Sequence, residues 1–189
     1  MKRKRALFTS PHEKKLWLWA FAAFAAIFLT LFIGRPLANQ LRDQNVQAVF
    51  FVLGLLLVAA AVIAHGLRTK PGKIELSILL GIIAVYVMLI FRLGAPERSH
   101  LMEYSVLAIF IHKALIEREK QDKRIRYPAL YAWLIACSIG MLDESIQIVL
   151  PNRVFDPRDM LFNSLAATMA IGSSLLLIWV RKQIDKSKK

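Results

Sequence analysis

Asp143 and Glu144 stand side by side near the end of an apolar run, and polar residues continue after them with Gln147, Arg153, Asp156, Arg158, Asp159 and Asn163. A second polar group, Glu97, Arg98, Ser99, His100, Glu103 and Tyr104, opens another apolar run. Between them these residues supply acids and bases for proton transfer, oxygen ligands for a hard cation, and guanidinium forks for an anionic head group. Ionisable groups inside a segment of membrane length are costly, so such a cluster marks a functional site by default. His100, Glu103 and Asp143 are the candidate catalytic groups. Asp143, Glu144 and Asp159 are the candidate ligands of a divalent cation such as Mg²⁺. The reading expects Arg98, Arg153 and Asp156 to join Tyr104, Gln147 and Asn163 in holding a ligand.

The elements that position these residues follow from composition. Of the 189 residues, 57% are hydrophobic and only 21% charged. That is more apolar side chain than a soluble domain of this length buries, and the chain reads as an all-α integral membrane protein. About 20 helical residues cross a hydrocarbon core. Six apolar runs approach that length, at Leu16 to Ile33, Val46 to Leu67, Ile74 to Phe91, Ser99 to Leu115, Ala129 to Leu150, and Met160 to Val180. The expected organisation is a basic segment over 1–15, one helical membrane domain over 16–182, and a basic tail over 183–189. A basic start before an apolar run also fits a signal peptide, but this run is long for a signal core and Pro36 sits where a small residue is needed. An uncleaved first helix is expected. Cys137 is the lone cysteine and lies inside an apolar run, where a packed thiol is the ordinary role.

Charge gives the orientation. With both termini cytoplasmic, every lysine falls on the inner side, and among the 26 basic residues only Arg35, Arg42, Arg92, Arg98, Arg153 and Arg158 fall outside. That is the asymmetry of the positive-inside rule. The net charge of +13 is then a topology signal and a match to anionic lipid, and no nucleic-acid partner is expected, because the basic residues are split among separate segments without interleaved aromatics. Trp17, Trp19, Trp133 and Trp179 are expected near the cytoplasmic interface, His65 and His112 near cytoplasmic helix ends, and His12 in water.

In this topology the two polar groups share a depth. His100 lies at the outer mouth of its helix with Glu103 one turn deeper, Asp143 about 10 Å below the outer boundary, and Asp159 at the start of the last helix with Asn163 one turn in. Helical spacing adds direction. His100, Glu103, Tyr104 and Leu107 form one stripe; Ala136, Gly140, Asp143 and Gln147 a second; Asp159, Asn163, Ala166, Ala167 and Ala170 a third. Small residues on the last two permit close packing in lipid. Glu144 is rotated about 100° from Asp143, so only one of the pair need face the centre.

The pattern Asp143-Glu144, Gln147, Pro151, Arg153, Asp156, Asp159 and Asn163, preceded by His100 and Glu103-Tyr104, resembles the VanZ-like membrane proteins. The resemblance covers roughly Glu97 to Gly172, and its second half is the specific part. This chain departs from the family in having Ala166 and Ala170 where glycines are usual. The family is named for a member of a glycopeptide-resistance gene cluster that lowers susceptibility to teicoplanin, so the resemblance implies a role at the cell envelope. Two functions remain open at this point. One is binding or transport of an anionic lipid or cell-wall component; the other is metal-assisted hydrolysis or group transfer on a lipid-linked envelope precursor. A structural alternative stands beside both, in which acids and arginines neutralise one another and pin the 151–159 loop.

Overall fold

The computed structural model describes residues 7–40, 71–93, 95–121, 125–151, 153 and 155–187. They form five helices, α1 (Pro11–Gln40), α2 (Lys73–Arg92), α3 (Ala95–Gln121), α4 (Pro128–Gln147) and α5 (Pro157–Ser187), with no strand among the described residues. The apolar run expected at Val46 to Leu67 lies outside them.

Local chemistry starts and stops these helices. Proline is the first residue of α1, α4 and α5, where its fixed φ suits the helix and its missing N–H is not needed. Ser10 caps α1 by accepting from the Glu13 backbone N–H at 3.0 Å. Asp156 caps α5, its Oδ1 accepting from the Arg158 N–H at 2.9 Å. The end of α4 falls short of the expected Leu150, because the Val149 N–H closes a tighter turn onto Ile146 O ahead of Pro151.

The most polar helix is the central one. Four helical segments, in α1, α2, α4 and α5, are long and apolar enough to cross a membrane; α3, which carries the Ser99 to Leu115 run, is not among them. Its position explains this, since α3 packs against α1, α4 and α5 and meets protein on several sides. Tyr104, Leu107, Ala108 and Ile111 of α3 form the core with Ala132 and Ala136 of α4 and Ala166, Ala167 and Ala170 of α5. Small side chains let the backbones approach, and the buried Ser105 hydroxyl donates across the gap to Ala166 O at 3.3 Å. Outside this core α2 has no buried residue, and Leu18, Phe21, Leu29, Met141, Leu142 and Leu161 are exposed. So continuous an apolar exterior belongs in a bilayer. The chain is a helical membrane protein.

Polar contacts define two ends of the bundle. At one end Arg118 Nε meets Glu13 Oε1 at 2.8 Å, tying the end of α3 to the start of α1, and Arg181 meets Glu75 at 3.0 Å, tying the end of α5 to the start of α2. Glu13 is fully buried and accepts also from the Thr9 N–H and hydroxyl, each at 2.6 Å, and from Trp17 Nε1 at 3.2 Å. At the opposite end Arg153 docks the α4–α5 connection on α1, its Nε donating to Leu31 O at 3.2 Å and its Nη2 to Thr30 O.

Candidate functional site

Helices α3, α4 and α5 bring both polar groups of the sequence to the Arg153 end. Tyr104, Asp143, Glu144, Gln147 and Asn163 are all buried there, with His100, Glu103 and Asp159 partly buried. The stripes behave as their spacing requires: Tyr104 and Leu107, Ala136 through Gln147, and Asn163 through Ala170 all turn inward. Both members of the acidic pair are inside, Asp143 at 2% exposure and Glu144 at 0%, although one was free to face outward.

The two acids serve different neighbours. The Tyr104 hydroxyl donates to Asp143 Oδ2 at 3.0 Å, while Gln147 Nε2 donates to Glu144 Oε1 at 3.0 Å, one turn along α4. His100 Nε2 lies 3.4 Å from Asp159 Oδ2, and its ring stacks near Tyr104 at 6.2 Å between centroids. Ligand atoms of His100, Glu144 and Asp159 all lie within 4.8 Å of one another. Of the acids expected to hold a cation, Glu144 and Asp159 are therefore grouped, with His100 as the third member instead of Asp143. Arg153 is close enough to Glu103 and Asp143 to act electrostatically on both.

Several buried atoms here make no hydrogen bond among the described residues. They are Asp143 Oδ1, Glu144 Oε2, His100 Nδ1, Glu97 Oε2, and both side-chain polar atoms of Asn163. A buried polar atom without a partner costs about 1–3 kcal/mol, so such a group at one site calls for partners of the kind water, an ion or a ligand supplies.

The model of the family described as VanZ/LLP1 matches residues 12–179. The chain belongs to the VanZ/LLP1 family. No curated protein and no solved structure matches it. The VanZ/LLP1 match takes in the whole polar site and reaches back through α1 and α2, where no family motif is apparent in the sequence. Within this VanZ/LLP1 chain, Ala166 and Ala170 are buried, at 0% and 2% exposure. Among the described glycines, the one that meets a neighbour closely is Gly140 on α4.

A Cβ on Gly140 would stand 2.9 Å from Asn163 Cβ, 3.2 Å from Asn163 Nδ2 and 3.3 Å from Tyr104 Cε1. Asn163 Cβ is fixed to its helix and cannot swing aside, so α4 and α5 must part. Gly140→Ala is expected to destabilise the VanZ/LLP1 bundle by about 1–3 kcal/mol. Gly172→Ala, whose Cβ would meet nothing within 4 Å, serves as the control and should be neutral or slightly stabilising. Unfolding curves in detergent check both, and equal effects would refute the packing argument.

The remaining expected site residues have less central places. Asp156 is half-buried and acts as the cap of α5, and Arg98 Nε donates to Leu93 O at 2.8 Å across the α2–α3 junction. Elsewhere His12 is exposed as expected, but His112 is fully buried with neither ring nitrogen partnered among the described residues. The sequence placed it at an interface because hydropathy does not register that α1 covers α3. Glu13 was not anticipated either, although Ser10-x-x-Glu13 has the form of a capping box.

Proposed function

We propose that this VanZ-like membrane protein binds an anionic lipid-linked or cell-wall component at its extracytoplasmic face, in the site between α3, α4 and α5. The observation that carries this reading is the set of buried acceptors on Asp143, Glu144 and Asn163 without partners among the described residues, with the Arg153 guanidinium near enough to act on Asp143. Acceptors call for hydroxyl or amide donors, and a guanidinium calls for phosphate or carboxylate. A lipid-linked sugar phosphate offers both kinds of group. The lysine asymmetry supports an orientation with six crossings and both termini cytoplasmic, which puts the site at the outer leaflet. Family membership supports an envelope role, and in this reading occupancy of the site alters susceptibility to teicoplanin.

Native mass spectrometry of gently extracted protein tests the binding. A retained anionic lipid adduct that is lost in Arg153→Gln is the expected result; bare protein across mild extraction conditions would sink the proposal. Orientation has its own test in a Cys137-free variant. Single cysteines within 36–43 and 152–158 should label with an impermeant reagent in intact cells, and those within 68–73 and 120–126 should not. Equal labelling of both sets would rule out the topology.

The grouping of His100, Glu144 and Asp159 favours a second reading, a metal-assisted hydrolase or transferase acting on a lipid-linked envelope precursor. Turnover of a lipid pyrophosphate by purified protein would select it over binding alone.

A further inference from the structure

A site rich in carboxylates is a poor host for an anion unless a cation is present to balance it. Glu97, Glu103, Asp143, Glu144, Asp156 and Asp159 all lie at this end of the bundle, and Arg153 spends two of its N–H groups on the Thr30 and Leu31 carbonyls. Arg92, Arg98 and Arg158 also lie at this end, and with Arg153 they set four cations against six carboxylates among the described residues, so an anionic ligand meets net negative charge. Three residues are arranged to supply what is missing.

We propose that His100, Glu144 and Asp159 form a binding site for a divalent transition-metal cation, Mn²⁺ or Zn²⁺, which bridges the protein to the phosphate of the bound component. This rests on the binding reading above. The three residues come from three helices, α3, α4 and α5, so the site exists only in the assembled bundle. Their ligand atoms lie within 4.8 Å of one another, against about 3.0–4.2 Å between donors around an ion with bonds near 2.1 Å. Side-chain rotation closes that difference. Glu144 is fully buried and its Oε2 has no hydrogen-bond partner among the described residues, while Gln147 holds Oε1 and fixes the carboxylate's direction.

The donor set decides the class of ion. Two carboxylates alone would suit Mg²⁺, Ca²⁺ or Mn²⁺, and an imidazole moves the preference toward Zn²⁺, with Mn²⁺ the transition metal that also takes hard oxygen ligands. Three protein ligands also leave coordination positions open, as a metal that must take an external oxygen requires. Asp143, whose Oδ2 accepts from Tyr104, is not among the ligand atoms that lie within 4.8 Å of one another.

The test uses the full-length protein in detergent with Mn²⁺ as probe, read by loss of the free-ion electron paramagnetic resonance signal. One equivalent should bind, be displaced by Zn²⁺ and be removed by EDTA. Glu144→Gln and Asp159→Asn should each weaken binding by more than about tenfold, the range reached by disturbing even the outer partners of a metal site. Asp143→Asn should have a smaller effect. Absence of a stoichiometric Mn²⁺ in the wild-type protein overturns the proposal without recourse to any variant. So does an equal loss in Asp143→Asn, which would indicate diffuse attraction to negative charge. Native mass spectra with and without EDTA separate this idea from its foundation. An adduct that survives EDTA leaves the binding reading standing and removes the bridging cation. Mn²⁺ binding by protein that never retains an anionic adduct keeps the cation site and removes the bridge.

Discussion

Glu13→Ala is expected to lower the unfolding free energy by about 2–4 kcal/mol, the largest stability loss predicted for any single residue of this protein. The fully buried carboxylate accepts from three donors, the Thr9 N–H, the Thr9 hydroxyl and Trp17 Nε1, and forms an ion pair with Arg118 at 2.8 Å. Removing it frees all three donors and leaves the Arg118 guanidinium without its carboxylate, and since that side chain is 32% exposed, water relieves part of the loss. Glu13→Gln keeps an acceptor for Thr9 and should cost less. Arg118→Gln should resemble it, because a buried carboxylate then faces neutral donors only. A double-mutant cycle over Glu13 and Arg118, measured by chemical unfolding in detergent, should give a coupling above about 0.5 kcal/mol. Additive effects would mean that the pair is an accident of proximity.

Asp143→Asn and Glu103→Gln should behave in the opposite way, with normal insertion and near-native melting but loss of the cellular phenotype. Each change keeps side-chain shape and hydrogen-bonding capacity while removing charge. In Asp143→Asn the amide oxygen can still accept from the Tyr104 hydroxyl, which in the native protein donates to Asp143 Oδ2 at 3.0 Å. If the acids are instead structural partners of Arg153, neutralising one leaves a cation uncompensated at a cost of about 3–5 kcal/mol. That loss would appear as poor expression and a lower melting temperature, and adding Arg153→Gln would restore both. Rescue by the double mutant therefore counts against a functional role, and a stable, correctly inserted variant without the phenotype supports one.

The parts of this architecture that follow from periodicity are legible in the sequence. Helical spacing puts Ala136, Gly140, Asp143 and Gln147 on one face, and all four are buried. Sequence periodicity does not reveal which partner each acid meets. Glu144 sits about 100° round the helix from Asp143, and only the placement of α3 and α5 decides that its neighbours are His100 and Asp159. Helix ends also escape a hydropathy reading. The run from Ser99 fades by Leu115, yet α3 continues to Gln121, because Glu117, Arg118 and Lys120 suit a helix in water as well as one in lipid. Arg153 illustrates a further limit. Its partners are backbone carbonyls of Thr30 and Leu31, and since every residue carries a carbonyl, no sequence pattern announces them.

The Glu13 contact also orders events during synthesis. Thr9 and Trp17 are within one helical turn of Glu13 and leave the ribosome almost with it, whereas Arg118 follows roughly a hundred residues later, about 5–20 s at ordinary elongation rates. In that interval α1 can hold its first turn with local donors, but it has no charged partner and no fixed place beside α3. The arrival of Arg118 turns an inserted helix into a docked one. A nascent chain halted before that residue would thus carry α1 in the membrane, capped but unattached, and the bundle would begin to assemble only when the central helix had been made.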